Sequence, residues 1–276
     1  MISVIGVGDN TVDRYLHLGK MFPGGNAVNV AVHARRMGCR AAYLGWLADD
    51  PHGQLVRDAL IQEEVDISHT RFVDGEGAFC EITLKDGDRV FGEYSEGVCG
   101  QISLNQDDLN FISGFDLAHT SVYSHLDGQL DILANHAKRL SYDFSQEWDM
   151  LSLKRTLPFV DIALISNPRV SVIPNEELIN YAAGLGFAKL LITNGEEGAV
   201  FFDGTSVIKQ GIIKITNVVD TLGAGDAFAA SFMVDYLSGR TAQVALEKAA
   251  HAAAEACTYY GAFGRGAPIY QREKDS

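Results

Sequence analysis

The residues best suited to chemistry lie in the segment VVDTLGAGDAF, residues 218–228. Two β-branched residues precede a turn with two glycines and an alanine, and a pattern typical of a helix follows. Amides at a helix N-terminus favour an anion, and small residues let it approach them closely. Asp226 would repel that anion unless it served as a base for an attacking hydroxyl group. The segment therefore predicts either transfer of an anionic group with Asp226 as general base, or a glycine turn with Asp226 as a helix N-cap.

A second segment, PGGNAVNV at residues 23–30, places two amide side chains at the start of another predicted helix. Asn26 and Asn29 are three residues apart, so they share one helix face. Amides offer donors and acceptors to a polyhydroxy ligand, and Asn29 lies in an apolar run, where an unpaired polar group is costly. The alternative is that Asn26 caps the helix and Asn29 faces solvent. Asp13 follows the first strand, where α/β sheets bind ligands, and is otherwise a turn residue.

The elements that must hold these residues alternate between strands and helices. Short apolar runs predict strands at residues 2–7, 41–47, 116–121, 140–144, 162–165 and 190–193. This alternation predicts an α/β fold with a mostly parallel central sheet covered by helices on both faces. We further expect a strand over 13–18, a hairpin over 199–208 and an alanine-rich helix over 241–260.

Residues 78–94 form a pattern of two strands around the turn Asp86-Gly87, which is a strong hairpin signal. The hairpin lies between strand–helix units, so we expect an appended small sheet with one face covered by a ligand or another subunit. Glu81 and Glu93 in this hairpin face either solvent or a polar ligand.

Composition excludes several classes of protein. The chain has 276 residues, 47% of them hydrophobic, which suits one α/β domain or one large and one small domain. A net charge of −14 argues against a nucleic-acid partner, because phosphate binding needs a basic surface. The four scattered cysteines predict reduced thiols and no zinc site. No leader or long apolar run is present, so we expect a cytoplasmic protein without a membrane partner.

Two common nucleotide-binding motifs are missing. Gly6-Val7-Gly8 lacks the third glycine and the following helix of a dinucleotide fingerprint. The chain also contains no Gly-x-x-x-x-Gly-Lys-Ser/Thr, which excludes a P-loop kinase.

The glycine-containing segments 24–31 and 220–228 resemble the two signatures of the ribokinase (PfkB) family of sugar kinases, in the right order and separation. Shorter stretches are similar to the bacterial fructosamine kinases, the fructoselysine 6-kinase group: residues 8–13, 116–124, 142–145 and 260–264. The resemblance implies a ribokinase-like three-layer α/β/α sandwich, with residues 1–276 forming one domain. It also implies a small β lid formed mainly by residues 11–22 and 77–97.

The implied activity is ATP-dependent phosphorylation of the 6-hydroxyl group of a fructosamine such as fructoselysine. By this resemblance Asp226 is the general base, and the amides of Gly223, Ala224 and Gly225 form the anion hole. The implied substrate-binding residues are Asp9, Asp13, Gly24, Gly25, Asn29, Glu81 and Tyr123. The implied nucleotide-binding residues are Asn167, Thr193, Gly195, Gly198, Gly225, Ala250 and Ala254.

The resemblance also bears on ions, assembly and substrate charge. Mg²⁺ is expected to arrive with ATP, although the family's usual Asn-x-x-Glu is Asn167-Pro168-Arg169-Val170 here. Asp220 corresponds to a region that binds a monovalent cation in some members, which points to K⁺. A homodimer is expected. Separately, the net charge of −14 suits a substrate that bears ammonium groups, which Glu81 or Glu93 would meet.

Two other functions stay open at this point. One is a kinase of the same fold that acts on another sugar or on a nucleoside, because pocket identity rests on few side chains. The other is a catalytically silent sugar-binding protein. The intact Asp226 and the intact glycine turn argue against a silent protein.

Overall fold

The structure, a computed structural model, describes residues 2–85, 88–168 and 172–269. The strands are β1 (Ser3–Val7), β2 (Thr11–Tyr15), β3 (Lys20–Gly24), β4 (Arg40–Leu44), β5 (Trp46–Ala48), β6 (Arg71–Val73), β7 (Phe79–Lys85), β8 (Asp88–Ser95), β9 (Leu117–Ser121), β10 (Leu140–Asp143), β11 (Ile162–Ser166), β12 (Leu190–Thr193), β13 (Ala199–Phe202), β14 (Val207–Gln210) and β15 (Ala267–Pro268). The helices are α1 (Asn26–Arg36), α2 (Pro51–Gln62), α3 (Gln106–Ile112), α4 (Leu130–His136), α5 (Met150–Thr156), α6 (Asn175–Gly184), α7 (Ala224–Leu237) and α8 (Ala242–Ala256).

The central sheet has eight strands in the order β14-β13-β12-β11-β10-β9-β1-β4. Strands from β4 to β12 in this order run parallel, and β13 and β14 join antiparallel at one edge. The predicted α/β fold with a mostly parallel sheet is therefore confirmed. Because the parallel strands end at one edge, the segments after β1, β10, β11 and β12 meet there.

Helices cover both faces of the central sheet. Consecutive strand residues point to opposite faces, so Val4 packs in the cluster that contains Phe228 of α7 and Leu246 of α8. Ile5 packs in the other cluster, with residues of α4, α5 and α6 such as Leu133. The sheet thus buries apolar side chains on both sides, which explains why its strands are nearly continuous apolar runs.

A second sheet of five strands, in the order β15-β3-β2-β7-β8, stands beside the first. The predicted pairing of the two strands around residues 86–87 is confirmed, since β7 and β8 are antiparallel partners, while the turn itself lies outside the described residues. Strand β8 is at the edge of this sheet, where Val90, Phe91 and Tyr94 are exposed.

Three predicted element boundaries are wrong. The strand predicted over 41–47 divides at Gly45 into β4 and β5, and β5 pairs with β6 in a separate sheet. A Cβ atom at Gly45 would lie 2.0 Å from the Tyr43 hydroxyl oxygen, so the backbone turns where only glycine fits. The strand predicted over 13–18 ends at Tyr15, and a short 3-10 turn follows. The helix predicted over 241–260 ends at Ala256.

The loop after α8 is fixed to α1 and α2 by a buried carboxylate. Arg36 donates two hydrogen bonds of 2.8 Å to Glu63, and Arg265 Nε donates a third of 2.6 Å. The hydrogen bonds from Arg36 lower the pKa of Glu63 to about 2. The loop thereby brings Ala262 against Gly223, at the start of α7.

In the ranges that the structure describes, no helix is long and apolar enough to cross a membrane.

Candidate active site

The N-terminus of α7 faces open space. Gly223 has φ +74° and no room for a side chain, because a Cβ atom would lie 2.4 Å from Ala262. A Cβ atom at Gly225, by contrast, would meet nothing within 4 Å. The amide of Ala224 donates to the Thr221 carbonyl at 3.3 Å, and the other first-turn amides lack intrahelical acceptors by the geometry of a helix. The helix therefore presents donors and its positive dipole end to a ligand.

Asp226 lies in this first turn, and two amide side chains of α1 hold its carboxylate. Asn26 Nδ2 donates to Oδ1 at 2.8 Å, and Asn29 Nδ2 donates to Oδ2 at 2.6 Å. The N-caps of α1 and α7 are Gly25 and Gly223, so the alternative interpretations of Asn26 and Asp226 as N-caps are wrong. Asn29 Oδ1 is buried and has no hydrogen-bond partner among the described residues, which leaves an acceptor for a ligand.

A second carboxylate, that of Asp143, stands next to Asp226. Asn26 Nδ2 donates to Asp143 Oδ2 at 2.9 Å as well, and the amide of Ser145 donates to Asp143 Oδ1 at 2.7 Å. Burial raises the pKa of Asp143 to about 6. Burial and the charge of Asp143 together raise the pKa of Asp226 to about 7. Asp226 is therefore poised to exchange a proton near neutral pH.

Asp9 anchors the start of α1. Its carboxylate accepts hydrogen bonds from the backbone amides of Asn26 and Ala27 and from the hydroxyl groups of Ser121 and Ser124. An acidic side chain at a helix N-terminus is favourable. Asp9 is buried, so its carboxylate chiefly sets the position of α1.

Four of the predicted sugar contacts, Asp13, Gly24, Gly25 and Asn29, lie close together, and Asn29 reaches Asp226. A Cβ atom at Gly24 would lie 2.8 Å from Asp13 Oδ2 and 3.8 Å from Asn29 Oδ1. Gly25 has φ +108°, and a Cβ atom there would lie 2.5 Å from the Asn10 Cα. Gly24 therefore lets β3 pass close to Asp13, which is itself buried on β2, and Gly25 lets the start of α1 pass close to Asn10.

Two other predicted substrate contacts already have protein partners. Glu81 on β7 forms an ion pair of 3.3 Å with Arg14 on β2. Tyr123 is 44% exposed, and its hydroxyl group donates to Ser145 Oγ at 3.1 Å, beside the loop that follows Asp143.

The predicted nucleotide contacts after β11 and β12 lie together. The amide of Asn167 donates to the Thr193 carbonyl at 2.8 Å, and Asn194 Nδ2 donates to the Asn167 carbonyl at 3.0 Å. Asn167 Oδ1 is buried and unpaired within the described part of the chain. Gly195 and Gly198 have positive φ angles in the following turn, and a Cβ atom at Gly198 would lie 2.1 Å from the Gln210 carbonyl oxygen.

The remaining predicted nucleotide contacts lie on α8, which packs against α7, β13 and β14. Ala250 is buried in the core, and Ala254 is half-buried. Val170, at the position of the family's usual glutamate, lies outside the described residues.

Asp220 links the second sheet to the loop after α8. Its carboxylate accepts hydrogen bonds from the Tyr15 hydroxyl group and from the amides of Leu222 and Gly261, the last two at 3.0 Å each. In the described ranges no group of three or more His, Cys, Asp and Glu residues could hold a metal ion.

Two contributors to this site, Asp143 and His119, were not predicted as site residues, and neither was the bridging role of Asn26. Asp143 lies at the end of a predicted strand, at the ligand-binding edge of the sheet, which was a usable signal for a site residue. His119 interrupts a buried strand, and its Nε2 lies 2.7 Å from Asn26 Oδ1. The bridge that Asn26 forms between the two carboxylates was not predictable, because the spacing of residues along the chain does not show which groups an amide side chain contacts.

The fold is a three-layer α/β/α sandwich with an added small sheet, and an aspartate lies in a glycine turn at a helix N-terminus. Together these features define a ribokinase-like enzyme. The chain belongs to the pfkB family of carbohydrate kinases, since the family model matches residues 1–265. It is therefore a phosphotransferase that uses ATP and has an alcohol group of a small sugar as acceptor.

Known relatives agree with this assignment. The chain is 34% identical to fructoselysine 6-kinase of Escherichia coli K12, over 95% of this chain and 100% of the relative. It is 37% identical to the fructosamine kinase FrlD of Bacillus subtilis 168, over 97% of this chain and 95% of the relative. A solved Escherichia coli structure, named ribokinase II and in complex with ATP and Mg²⁺, matches with a TM-score of 0.81 at 20% identity, covering 95% of each chain.

Proposed function

We propose that this protein is an ATP-dependent fructosamine 6-kinase, with fructoselysine as one substrate. The position of Asp226 carries the proposal, because this half-buried carboxylate lies at an open helix N-terminus and is held by two amides. The substrate class is supported by the 34–37% identity to a fructoselysine 6-kinase and to a fructosamine kinase over nearly the whole chain.

In the proposed reaction the sugar 6-hydroxyl gives its proton to Asp226 while its oxygen forms a bond to the γ-phosphorus of ATP. The bond from that phosphorus to the β–γ bridging oxygen breaks, and ADP leaves with the electron pair. Negative charge on the transferred phosphoryl group lies against the amides of Gly223, Ala224 and Gly225 and the helix dipole. Asp226 later returns the proton to solvent.

The sugar would be held by Asp13 and Asn29, with the close backbone at Gly24 and Gly25. The orphaned Asn29 Oδ1 would accept a hydrogen bond from a sugar hydroxyl group, because a buried acceptor without a partner is costly. Asp9 would act by fixing α1, while Glu81 and Tyr123 would border the rest of the substrate.

The nucleotide would lie along Asn167, Thr193, Gly195 and Gly198, with Ala254 and the buried Ala250 near the base. An Mg²⁺ ion fits this end of the site, since it keeps several waters and takes phosphate oxygens as ligands. The unpaired Asn167 Oδ1 would help to hold it. When bound, the ion neutralises charge on the phosphates.

The second sheet, formed by β2, β3, β7, β8 and β15, would serve as a lid within a single kinase domain. A homodimer through the β8 edge would cover Val90, Phe91 and Tyr94, which are 42%, 60% and 71% exposed. Sedimentation analysis should then give twice the chain mass, and Phe91→Asp should give a monomer. A sedimenting monomer of the unaltered protein would exclude this part of the proposal.

Charge and ions complete the proposal. A substrate ammonium group would approach Glu93 or Glu81, so Glu→Gln variants should raise KM for fructoselysine more than for a neutral fructosamine. A monovalent cation beside Asp220 should make the rate higher in K⁺ than in Na⁺ at equal ionic strength. We place the reaction in the cytoplasm, where ATP is supplied.

ADP release from Mg-ATP, measured against a panel of acceptors, tests the function. The panel contains fructoselysine, fructose-asparagine, glucoselysine, fructose, ribose and a nucleoside, and ³¹P NMR locates the new phosphate ester. We expect the highest kcat/KM for a fructosamine and an ester at its 6-position. Preference for a plain sugar or a nucleoside would keep the kinase and reject the substrate class.

A further inference from the structure

A buried chain of hydrogen bonds stands behind Asp226. His119 lies on β9 and is completely buried, with Nδ1 2.8 Å from Ser141 Oγ and Nε2 2.7 Å from Asn26 Oδ1. Asn26 Nδ2 then reaches Asp226 Oδ1 and Asp143 Oδ2 at 2.8 Å and 2.9 Å. One amide group therefore bridges two carboxylates, and a histidine fixes that amide from behind.

The direction of each hydrogen bond follows from the two carboxylates. Ionised carboxylates only accept hydrogen bonds, so Asn26 must turn its NH₂ group toward them and its oxygen toward His119. His119 must then donate from Nε2 and accept from the Ser141 hydroxyl at Nδ1. Burial lowers the pKa of His119 to about 3, so the ring stays neutral and keeps this one tautomer. Asn26 consequently has only one favourable amide orientation.

We propose that Asp143 is a positioning residue for the catalytic base: held against Asp226 through the His119–Asn26 chain, its negative charge makes Asp226 a stronger base. This inference rests on the proposed role of Asp226 and extends it to residues that do not touch the reacting atoms. The arrangement suits the reaction because two adjacent carboxylates resist simultaneous ionisation, and a proton from a sugar hydroxyl relieves their repulsion.

The other groups that face Asp226 do not explain its basicity in the same way. Asp9, after β1, adds a smaller repulsion than Asp143 does. Helix α1 contributes the neutral amides of Asn26 and Asn29, whose hydrogen bonds favour the ionised carboxylate and so work in the opposite direction. Asp143 is thus the group whose charge can be removed to weaken the base while both side chains that donate to Asp226 are kept. Any loosening of the shared Asn26 hydrogen bond would raise the pKa of Asp226, which is opposite to the shift expected from removing the charge.

The pH dependence of kcat/KM in Asp143→Asn tests the inference, because this parameter reports the pKa of a base in the free enzyme. In the unaltered enzyme the rate should fall as the pH drops through about 7, where Asp226 becomes protonated. In the variant this acid limb should move to lower pH by about one unit. Asp116→Asn is the matched control: it removes the same charge just before β9, at the opposite edge of the parallel sheet from Asp143, and should leave the limb in place.

An acid limb of Asp143→Asn that coincides with that of the unaltered enzyme would overturn the inference. A measurement on the unaltered protein covers the case in which the variant does not fold. Carbon-13 NMR of the Asp carboxyl groups should show Asp143 and Asp226 titrating in two linked steps, and independent titration near ordinary Asp values would also overturn the inference.

The variant Asp226→Asn separates this inference from the proposed function. Full activity in that variant would reject the base itself. An inactive Asp226→Asn with an unmoved limb in Asp143→Asn would reject only the role of Asp143.

Discussion

Replacing Asp226 by Asn should abolish turnover and, above about pH 7, make the folded protein more stable. Burial and the charge of Asp143 raise the pKa of Asp226 from 3.8 to about 7. Between these values the unfolded chain binds fewer protons than the native state, so the free energy of unfolding falls as the pH rises. One pKa unit corresponds to about 1.4 kcal/mol, so ionised Asp226 costs the native state roughly 4 kcal/mol at about pH 8.

An asparagine at position 226 fits the existing hydrogen-bond pattern after one local change. Asn29 Oδ1 has no partner in the described structure, so Asn29 can turn its amide and accept from the new Nδ2 group. Asn26 keeps its orientation, because His119 holds its oxygen. An amide mimics a protonated carboxyl group incompletely, so we expect about half of the full effect, roughly 2 kcal/mol. For a chain of this size that is a rise in Tm of about 4 °C.

Thermal and urea unfolding at about pH 5 and pH 8, together with ADP release, measure both effects. The variant and the unaltered protein should differ little near pH 5, because ionisation of Asp226 in the unfolded chain has by then cost only about 2 kcal/mol, roughly what the incomplete mimicry by the amide loses. Near pH 8 they should diverge in favour of the variant. Asp116→Asn is the control, because hydrogen bonds from Ser3 lower the pKa of Asp116 and its removal should cost stability at pH 8. Equal or lower stability of Asp226→Asn at pH 8, or retained turnover, would refute the reasoning.

Three further variants test the start of α7, the carboxylate that fixes the loop after α8, and the proposed sugar contact of Asn29. Gly223→Ala should lower kcat and destabilise the fold by about 1–3 kcal/mol, because a Cβ atom at φ +74° would overlap Ala262. A kcat equal to that of the unaltered enzyme would argue against the anion hole. Glu63→Gln should lower the free energy of unfolding by about 2–3 kcal/mol at neutral pH. This loss of stability should shrink as the pH falls below about 4.5 toward 2, where the Glu63 carboxyl group of the unaltered protein becomes protonated. Urea unfolding that shows an equal loss of stability at both ends of this pH range would contradict the prediction. Asn29→Ala should lower kcat/KM for the sugar about tenfold or more while KM for ATP stays constant. The control is Asn110→Ala, because Asn110 is exposed. Unchanged sugar kinetics in Asn29→Ala would show that Asn29 is not part of the site.

The sequence predicted the framework of this site because the framework depends on local patterns. Apolar runs predicted the strands of the central sheet, and the two glycine segments predicted where α1 and α7 begin. The strand boundary at Gly45 was missed because it depends on a tertiary contact: the Tyr43 hydroxyl group passes close to the Gly45 backbone. The sequence pattern does not report such a contact.

The polar partners of the site were harder to predict for the same reason. Asp143 and His119 lie on neighbouring strands of the sheet, and Asn26 reaches both from a helix. No spacing along the chain reports these distances. Likewise, Glu81 was predicted to face solvent or a polar ligand, and its pairing with Arg14 follows from the register between β2 and β7.

The hydrogen bond between Asn26 and Asp226 joins positions that are 200 residues apart in the chain. A ribosome adds about 5–20 residues per second, so the aspartate that we propose as the catalytic base is made roughly 10–40 s after the asparagine that hydrogen-bonds to it. A nascent chain, or one cut short before α7, therefore carries the proposed sugar contacts of β2 and α1 without the proposed base. If Asp226 is that base, only chains translated through α7 have kinase activity, and arrested synthesis yields inactive fragments.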